Sequence, residues 1–167
     1  MRKLQFFLCL CYGFLLMGQD VPNFDKPTIS IGLVASDMEA SYAFYTEVIG
    51  LQEVGAFTVD STFSKRSGLS GGVAFDVKIL KVENSETASE LKLVSFQKEG
   101  SGKDRYIQEQ NGMRYMTLFV NTMDAISERI KVSGIPLLSE PGLTIGDGRK
   151  FVLIQDPDGV FVELIGN

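Results

Sequence analysis

The feature that most constrains this chain is an internal repeat. The run from Met116 to Ala125 (Met-Thr-Leu-Phe-Val-Asn-Thr-Met-Asp-Ala) lies over the run from Ile31 to Ala40 (Ile-Gly-Leu-Val-Ala-Ser-Asp-Met-Glu-Ala) at a constant offset of 85 residues. Further on, Glu90-Leu-Lys-Leu-Val overlies Phe161-Val-Glu-Leu-Ile, and Gly50 and Gly134 stand at matching helix ends. A duplicated unit in 167 residues means two modules built to one plan within one globular domain.

Each unit reads the same way. Residues 28–35 form a strand, and Ser36-Asp37-Met38-Glu39 has the form of a capping box that opens a helix. Met38, Tyr42, Tyr45 and Ile49 recur at helical spacing, and with Phe44 they read as core; Gly50 ends the helix. Residues 51–59, 72–82 and 90–96 are three more strands. Residues 60–72 read as a loop carrying Phe63, Lys65, Arg66 and Leu69. After a charged connection over 98–111 the order resumes: Asn121 as N-cap, Met123, Ile126 and Ile130 as a helical stripe, then strands at 135–138, 149–155 and 160–165. The last two flank Asp156-Pro157-Asp158-Gly159, whose proline and glycine preset a tight turn in which the two aspartates read as turn residues. The predicted fold is α+β, two tandem βαβββ modules (28–97 and 112–167) in one domain spanning 28–167.

The N-terminus is of another kind. Met1-Arg2-Lys3 precedes an uncharged apolar run from Leu4 to Met17, shorter than the roughly 20 residues a bilayer-spanning helix needs. Residues 1–18 are expected to be a secretory signal and 19–27, with two prolines, a linker. The mature chain is then exported, periplasmic or extracellular, without stable membrane association. Retention of the segment as an anchor is the alternative.

Both cysteines, Cys9 and Cys11, fall inside that run, and the chain has no histidine. The folded part therefore lacks thiolate chemistry, the commonest metal ligand and the commonest general base. A net charge of −5 with no basic block excludes a nucleic-acid partner.

Strand alternation marks the candidate site. With a period of two, Ile31, Leu33 and Ala35, and likewise Met116, Leu118 and Val120, turn toward the helices. Ser30, Gly32, Lys92, Tyr115, Thr117, Phe161 and Glu163 turn the other way. A hydroxyl, an ammonium, a phenol and a carboxylate among aromatics compose a small-molecule cavity. Glu163 is the one charge in its strand, and a carboxylate there is costly unless it meets a wet cavity, a cation or a proton donor.

The Val34-x-x-Asp37 junction, the run Phe44-Tyr-Thr-Glu-Val-Ile-Gly-Leu51 and the closing Asp156-Pro-Asp-Gly-x-x-x-Glu163-Leu164, set in a duplicated βαβββ plan, resemble the vicinal oxygen chelate superfamily. That group includes glyoxalase I, extradiol dioxygenases, methylmalonyl-CoA epimerase, and fosfomycin and bleomycin resistance proteins. The resemblance implies a half-open barrel cavity, often holding a divalent metal on two histidines and one or two glutamates. The corresponding positions here are Ser30, Lys92, Tyr115 and Glu163, of which only Glu163 matches. An ammonium at a ligand position opposes a cation by about 4 kcal/mol per unit charge at roughly 4 Å and an effective dielectric near 20.

No cofactor is therefore expected; a divalent metal would need a different ligand set drawn from Glu90, Tyr115 or loop carboxylates. The favoured reading is a binder of a small organic molecule, an anion where Lys92 holds it, with Ser30, Tyr115, Thr117, Phe161 and Glu163 around it. Glu163 is the one weak candidate for a catalytic role. The second reading is a lyase, isomerase or dioxygenase of the family with a rebuilt metal site or metal-free acid–base chemistry, and a third is an interaction protein with a vestigial cavity. A purely structural role would pair Lys92 with Glu163 across the two modules. The resemblance also implies a homodimer. N-terminal sequencing of the native protein is expected to begin near Gln19 in a soluble fraction; intact Met1 in a membrane fraction would identify an anchor instead.

Overall fold

A computed structural model describes residues 23–100 and 102–167. The expected signal at 1–18, with both cysteines, and the start of the linker lie outside the described residues. Two sheets follow the two repeats. Strands β1 (Ser30–Ala35), β2 (Gln52–Val59), β3 (Phe75–Lys81) and β4 (Glu90–Ser95) form the first, in the order β1-β4-β3-β2. Strands β5 (Tyr115–Val120), β6 (Lys150–Gln155) and β7 (Phe161–Gly166) form the second, in the order β5-β7-β6. In both, the first strand runs parallel to the last, and the registers are equivalent. Ser30 stands beside Glu90 and Gly32 beside Lys92, as Tyr115 stands beside Phe161 and Thr117 beside Glu163. The sequence overlay therefore predicts the strand register. At Gly166 the two strands pack so closely that an added Cβ would clash with the Val120 carbonyl oxygen.

Helix α1 (Met38–Ala43) continues through wider π-helical turns over Phe44–Ile49 and ends at Gly50, whose φ of 98° is the left-handed conformation that glycine adopts without strain. Its cap is Asp37 rather than the expected Ser36. Asp37 Oδ1 accepts the N–H groups of Glu39 (3.0 Å) and Ala40 (3.1 Å). Helix α3 (Met123–Val132) is preceded by Thr122 rather than capped by Asn121, and the Met123 N–H donates to the Asn167 carbonyl at 2.6 Å.

Two other expectations are corrected. The loop at 60–72 contains a two-turn helix, α2 (Ser61–Ser67), because Asp60 accepts the Phe63 N–H at 2.8 Å and Gly68 closes the far end in the left-handed conformation. The strand expected at 135–138 does not form. Pro136 has no N–H to give a ladder, and Leu138 reaches β6 through its N–H to the Leu153 carbonyl at 2.8 Å. The second module is thus βαββ.

One core serves both modules. Leu33, Leu91 and Leu93 of the first sheet and Ile154, Val162 and Leu164 of the second bury against Phe44, Tyr45, Val48, Ile126 and Ile130 of the helices. Arg129 of α3 donates to the Val48 carbonyl (2.7 Å) and the Ile49 carbonyl (3.1 Å), placing a cation on the carbonyl end of the first helix. The turn between β6 and β7 makes the other link. Asp156, fully buried, accepts the Tyr45 hydroxyl at 2.9 Å and the N–H groups of Asp158 (2.9 Å) and Val160 (2.8 Å). Asp158 accepts the Ser36 N–H (3.1 Å) and the Ser41 hydroxyl (3.2 Å). The two aspartates join the modules as well as forming the turn.

Burial first, then the facing Asp156 carboxylate, pushes the Tyr45 hydroxyl well above its usual 10.0. Burial also pushes Asp156 up, opposed by the Val160 N–H and the Tyr45 hydroxyl. The fold holds the Tyr45 proton more tightly than the unfolded chain does. That stabilisation is complete below pH 10 and is lost as pH rises beyond it. Tyr45→Phe is expected to destabilise the protein by about 1–3 kcal/mol at neutral pH. Above pH 10 the gap between wild type and variant should shrink by up to about 1.4 kcal/mol per pH unit in urea titrations. A gap independent of pH would show that the phenol proton is not held by the fold.

Candidate functional site

The faces assigned by alternation are the observed ones. Leu33 and Ala35 of β1 are buried toward the helices, with Ile31, Met116, Leu118 and Val120 packed against the same core. The opposite face is polar at one end of the first sheet and apolar at the other. Val59, Phe75, Val77 and Val94 form a second cluster there, with Ile79 beside Lys92 in the register.

At the polar end Glu90 is the hub. Its Oε2 accepts the Ser30 hydroxyl at 2.5 Å and lies 3.6 Å from Lys92 Nζ, and its Oε1 lies 3.6 Å from Lys81 Nζ. The Ser30 hydroxyl, with the Lys92 and Lys81 ammoniums, holds the Glu90 carboxyl below its usual range against partial desolvation. In the second sheet Glu163 Oε2 accepts the Thr117 hydroxyl at 2.6 Å, the two residues standing side by side on β7 and β5. Lys92 and Glu163 are therefore not paired with each other. Among the described residues the ion partner of Lys92 is Glu90, two residues away on its own strand. The sequence offers Glu90 as a repeat position and a substitute metal ligand but not as the partner of Lys92; the signal for that role is the Glu90-Leu-Lys92 alternation, which puts acid and base on one face.

The remaining candidates separate. Phe161 is 1% exposed. The connection before β5 is tied down at this end of the second sheet: Gln155, opposite Phe161 in the register, donates its amide to the Asp104 carbonyl at 2.7 Å, Asp104 is ion-paired with Arg114, and the Phe161 N–H donates to the Arg114 carbonyl at 3.1 Å. Tyr115 is 48% exposed and lines a crevice of about 450 Å³ between β1 and β5. Ile31 to Ser36 form one wall of this crevice, and Phe96, Lys98, Met113 and Val160 contribute to the others. Of the six residues singled out, Tyr115 alone reaches it. The structure thus brings Ser30 to Lys92 through Glu90, and Thr117 to Glu163. Phe63, Lys65, Arg66 and Leu69 are exposed on and just beyond α2.

The positions where the family holds its metal carry a hydroxyl, an ammonium, a phenol and one carboxylate. Among the described residues no three histidine, cysteine, aspartate or glutamate side chains are grouped to hold an ion. This donor set does not fit a divalent metal of the zinc type, which is held by three or more protein ligands.

Residues 29–164 match the Glyoxalase/Bleomycin resistance protein/Dioxygenase superfamily, and the chain belongs to it. It is similar to the lactoylglutathione lyase of Haemophilus influenzae, 25% identical over 137 residues that span 81% of this chain and 88% of that protein. Its fold is similar to that of a glyoxalase family protein from Bacillus cereus, with a TM-score of 0.69 at 16% identity, covering 89% of this chain and 97% of that one. A fosfomycin resistance protein from Listeria monocytogenes, solved with Mn(II) and sulfate, gives a TM-score of 0.52 at 15% identity, covering 86% and 93%.

Burial sorts the two aromatics of the site by role. Phe161→Ala is expected to cost about 3–5 kcal/mol of stability in chemical denaturation. Tyr115→Ala, at a half-exposed position, should cost less than about 1 kcal/mol. Equal costs would contradict this division.

Proposed function

We infer that this chain is an exported, glyoxalase-like binding protein that holds a small organic anion on the open face of its sheets without the metal common in its superfamily. One observation carries the reading: at the two equivalent strand positions where the family places metal ligands, this chain has Lys92 and Glu163, a cation and an anion, each with a partner in its own module. An ammonium at such a position attracts an anionic ligand where it would repel a metal ion. Its contact with Glu90 is long, at 3.6 Å, and the Lys92 side chain is about a third exposed, so the pair is weak and leaves donors for a ligand. In this reading Lys92 takes the ligand's carboxylate or phosphate; Glu163, bonded to Thr117, and Tyr115, at the crevice between β1 and β5, stand apart from it, so they orient polar groups only of a ligand that reaches from the first sheet to the second. The edges of β1 and β5 end their sheets and border the open crevice, which favours completion of the barrel by a second copy; the protein is proposed to be a homodimer.

The likeness to a lactoylglutathione lyase favours a second reading, an enzyme of the lyase class whose metal is held by a new set including Glu90 and Glu163. Variants at the two equivalent positions separate the readings. With an anionic ligand found by thermal-shift screening, Lys92→Ala is expected to weaken binding by about 1.5–3 kcal/mol in calorimetry, the scale of a charge-assisted hydrogen bond. Glu163→Gln should leave affinity equal or higher, because it keeps the shape and removes a repelling charge. Stoichiometric binding of Zn²⁺, Fe²⁺ or Mn²⁺ by the unaltered protein, lost in Glu163→Gln, would overturn the metal-free reading and favour the enzyme instead.

A further inference from the structure

The duplication supplies an internal comparison that points to a second site. After its helix the first module continues into β2, paired along β3 from Gln52 to Val59. After α3 the second module passes through Gly134 into the segment holding Pro136, which joins the sheet near Leu138 and Ser139: Leu138 donates to Leu153, and the Leu153 N–H donates to Ser139 Oγ at 3.1 Å. Where the first module has a continuous fourth strand, the second has only separate bonds to β6, at Leu138 and Ser139 and again where the Phe151 N–H donates to the Leu143 carbonyl at 2.8 Å, and a groove of about 430 Å³ lies between α3, this segment and β6. A further crevice of about 380 Å³ borders the same segment on the side of Phe44 and Val48, so the chain stands off from its surroundings in two directions.

The groove has one chemical character in its walls and another in its charges. Met123, Ile130, Ile135, Leu137, Leu143 and Phe151 line it. Lys131 and Lys150 stand among them, and no carboxylate does. Among the described residues Lys131 makes no ion pair. Lys150 meets Asp124 at 2.8 Å, but the Asp124 side chain is 86% exposed, so that pair is screened by water and easily exchanged. On a chain of net charge −5 this is a local cationic rim around an apolar trough. Its volume is that of a small-molecule site rather than a protein interface.

We propose that this groove binds an amphiphilic carboxylate, with a medium-length apolar tail along Ile130, Leu143 and Phe151 and its carboxylate on Lys131 and Lys150. The tail removes wall and ligand carbon from water together, and the two ammoniums set which end lies at the rim. The site is separate from the one assigned above: Ser30, Lys92, Tyr115, Thr117, Phe161 and Glu163 do not line it.

The test is titration calorimetry of the full chain with sodium decanoate below its micellar range. One saturable site is expected. Lys131→Glu should weaken it at least tenfold, Leu143→Glu should abolish it, and Lys92→Ala should leave it unchanged. Neutral 1-decanol should bind at least tenfold more weakly than decanoate. Lys131 and Leu143 are exposed, so both variants are expected to melt with the wild type, and should Leu143→Glu fail to fold, Lys131→Glu alone decides the outcome. Absence of saturable binding overturns the proposal, as does full-strength binding by Lys131→Glu or decanol binding as tight as decanoate. Loss of binding in Lys92→Ala also overturns it and places the carboxylate at the other site.

Discussion

The rest of the structure depends on the buried contact between Tyr45 and Asp156. The shared core brings the two modules together, but apolar contact has no direction and does not fix how one module is turned against the other. Directional bonds do. Asp156 takes two donors from its own turn and one from the helix of the other module, while Asp158 takes the Ser36 N–H and the Ser41 hydroxyl. A fully buried carboxylate is tolerated only while its donors are in place, so any rotation of the helix against the turn leaves it short of a partner. Arg129 acts at the other end of the same helix, on the Val48 and Ile49 carbonyls. The helix is thereby held by the second module at its start, its middle and its end.

How much of this could be read in advance follows from the range of each cause. The duplication and the period of two are patterns along the chain, and they place Leu33, Leu91, Val162 and Leu164 inward and bring Thr117 beside Glu163. The roles of Asp156 and Asp158 were hidden because a turn explains both of them completely. Nothing local announces a partner 111 residues away. Ser36 was misplaced for the same reason, since its N–H serves Asp158 and leaves the cap to Asp37. The absent strand at 135–138 shows a limit of the repeat itself: equivalence by position does not survive a proline where a ladder needs an N–H.

The candidate site shows a related limit. Alternation states which face a side chain occupies but not what lies above it. Phe161 was assigned to the open face and is closed to solvent at an end where the chain from Asp104 to Arg114 is bonded down. Lys92 and Glu163, matched by the repeat, invite pairing across the two modules. Glu90, two residues from Lys92 on the same face, supplies a nearer charge, and Thr117 supplies a donor for Glu163 from the adjacent strand. Neighbours on one strand or on paired strands meet whatever the modules do, and that local chemistry decides both contacts.

The parallel pairing of first with last strand in each module also sets an order in time. While the chain is being synthesised, β1 has no partner until β4 is made, and β5 has none until β7, the last strand before Asn167. The Asp156 turn that holds the first helix emerges only just before it. A nascent chain therefore cannot complete either its second sheet or its intermodule clasp until β7 and the Asp156 turn have been made. Long-range pairing of this kind folds slowly. Until that point the first helix packs without the carboxylates that fix its orientation.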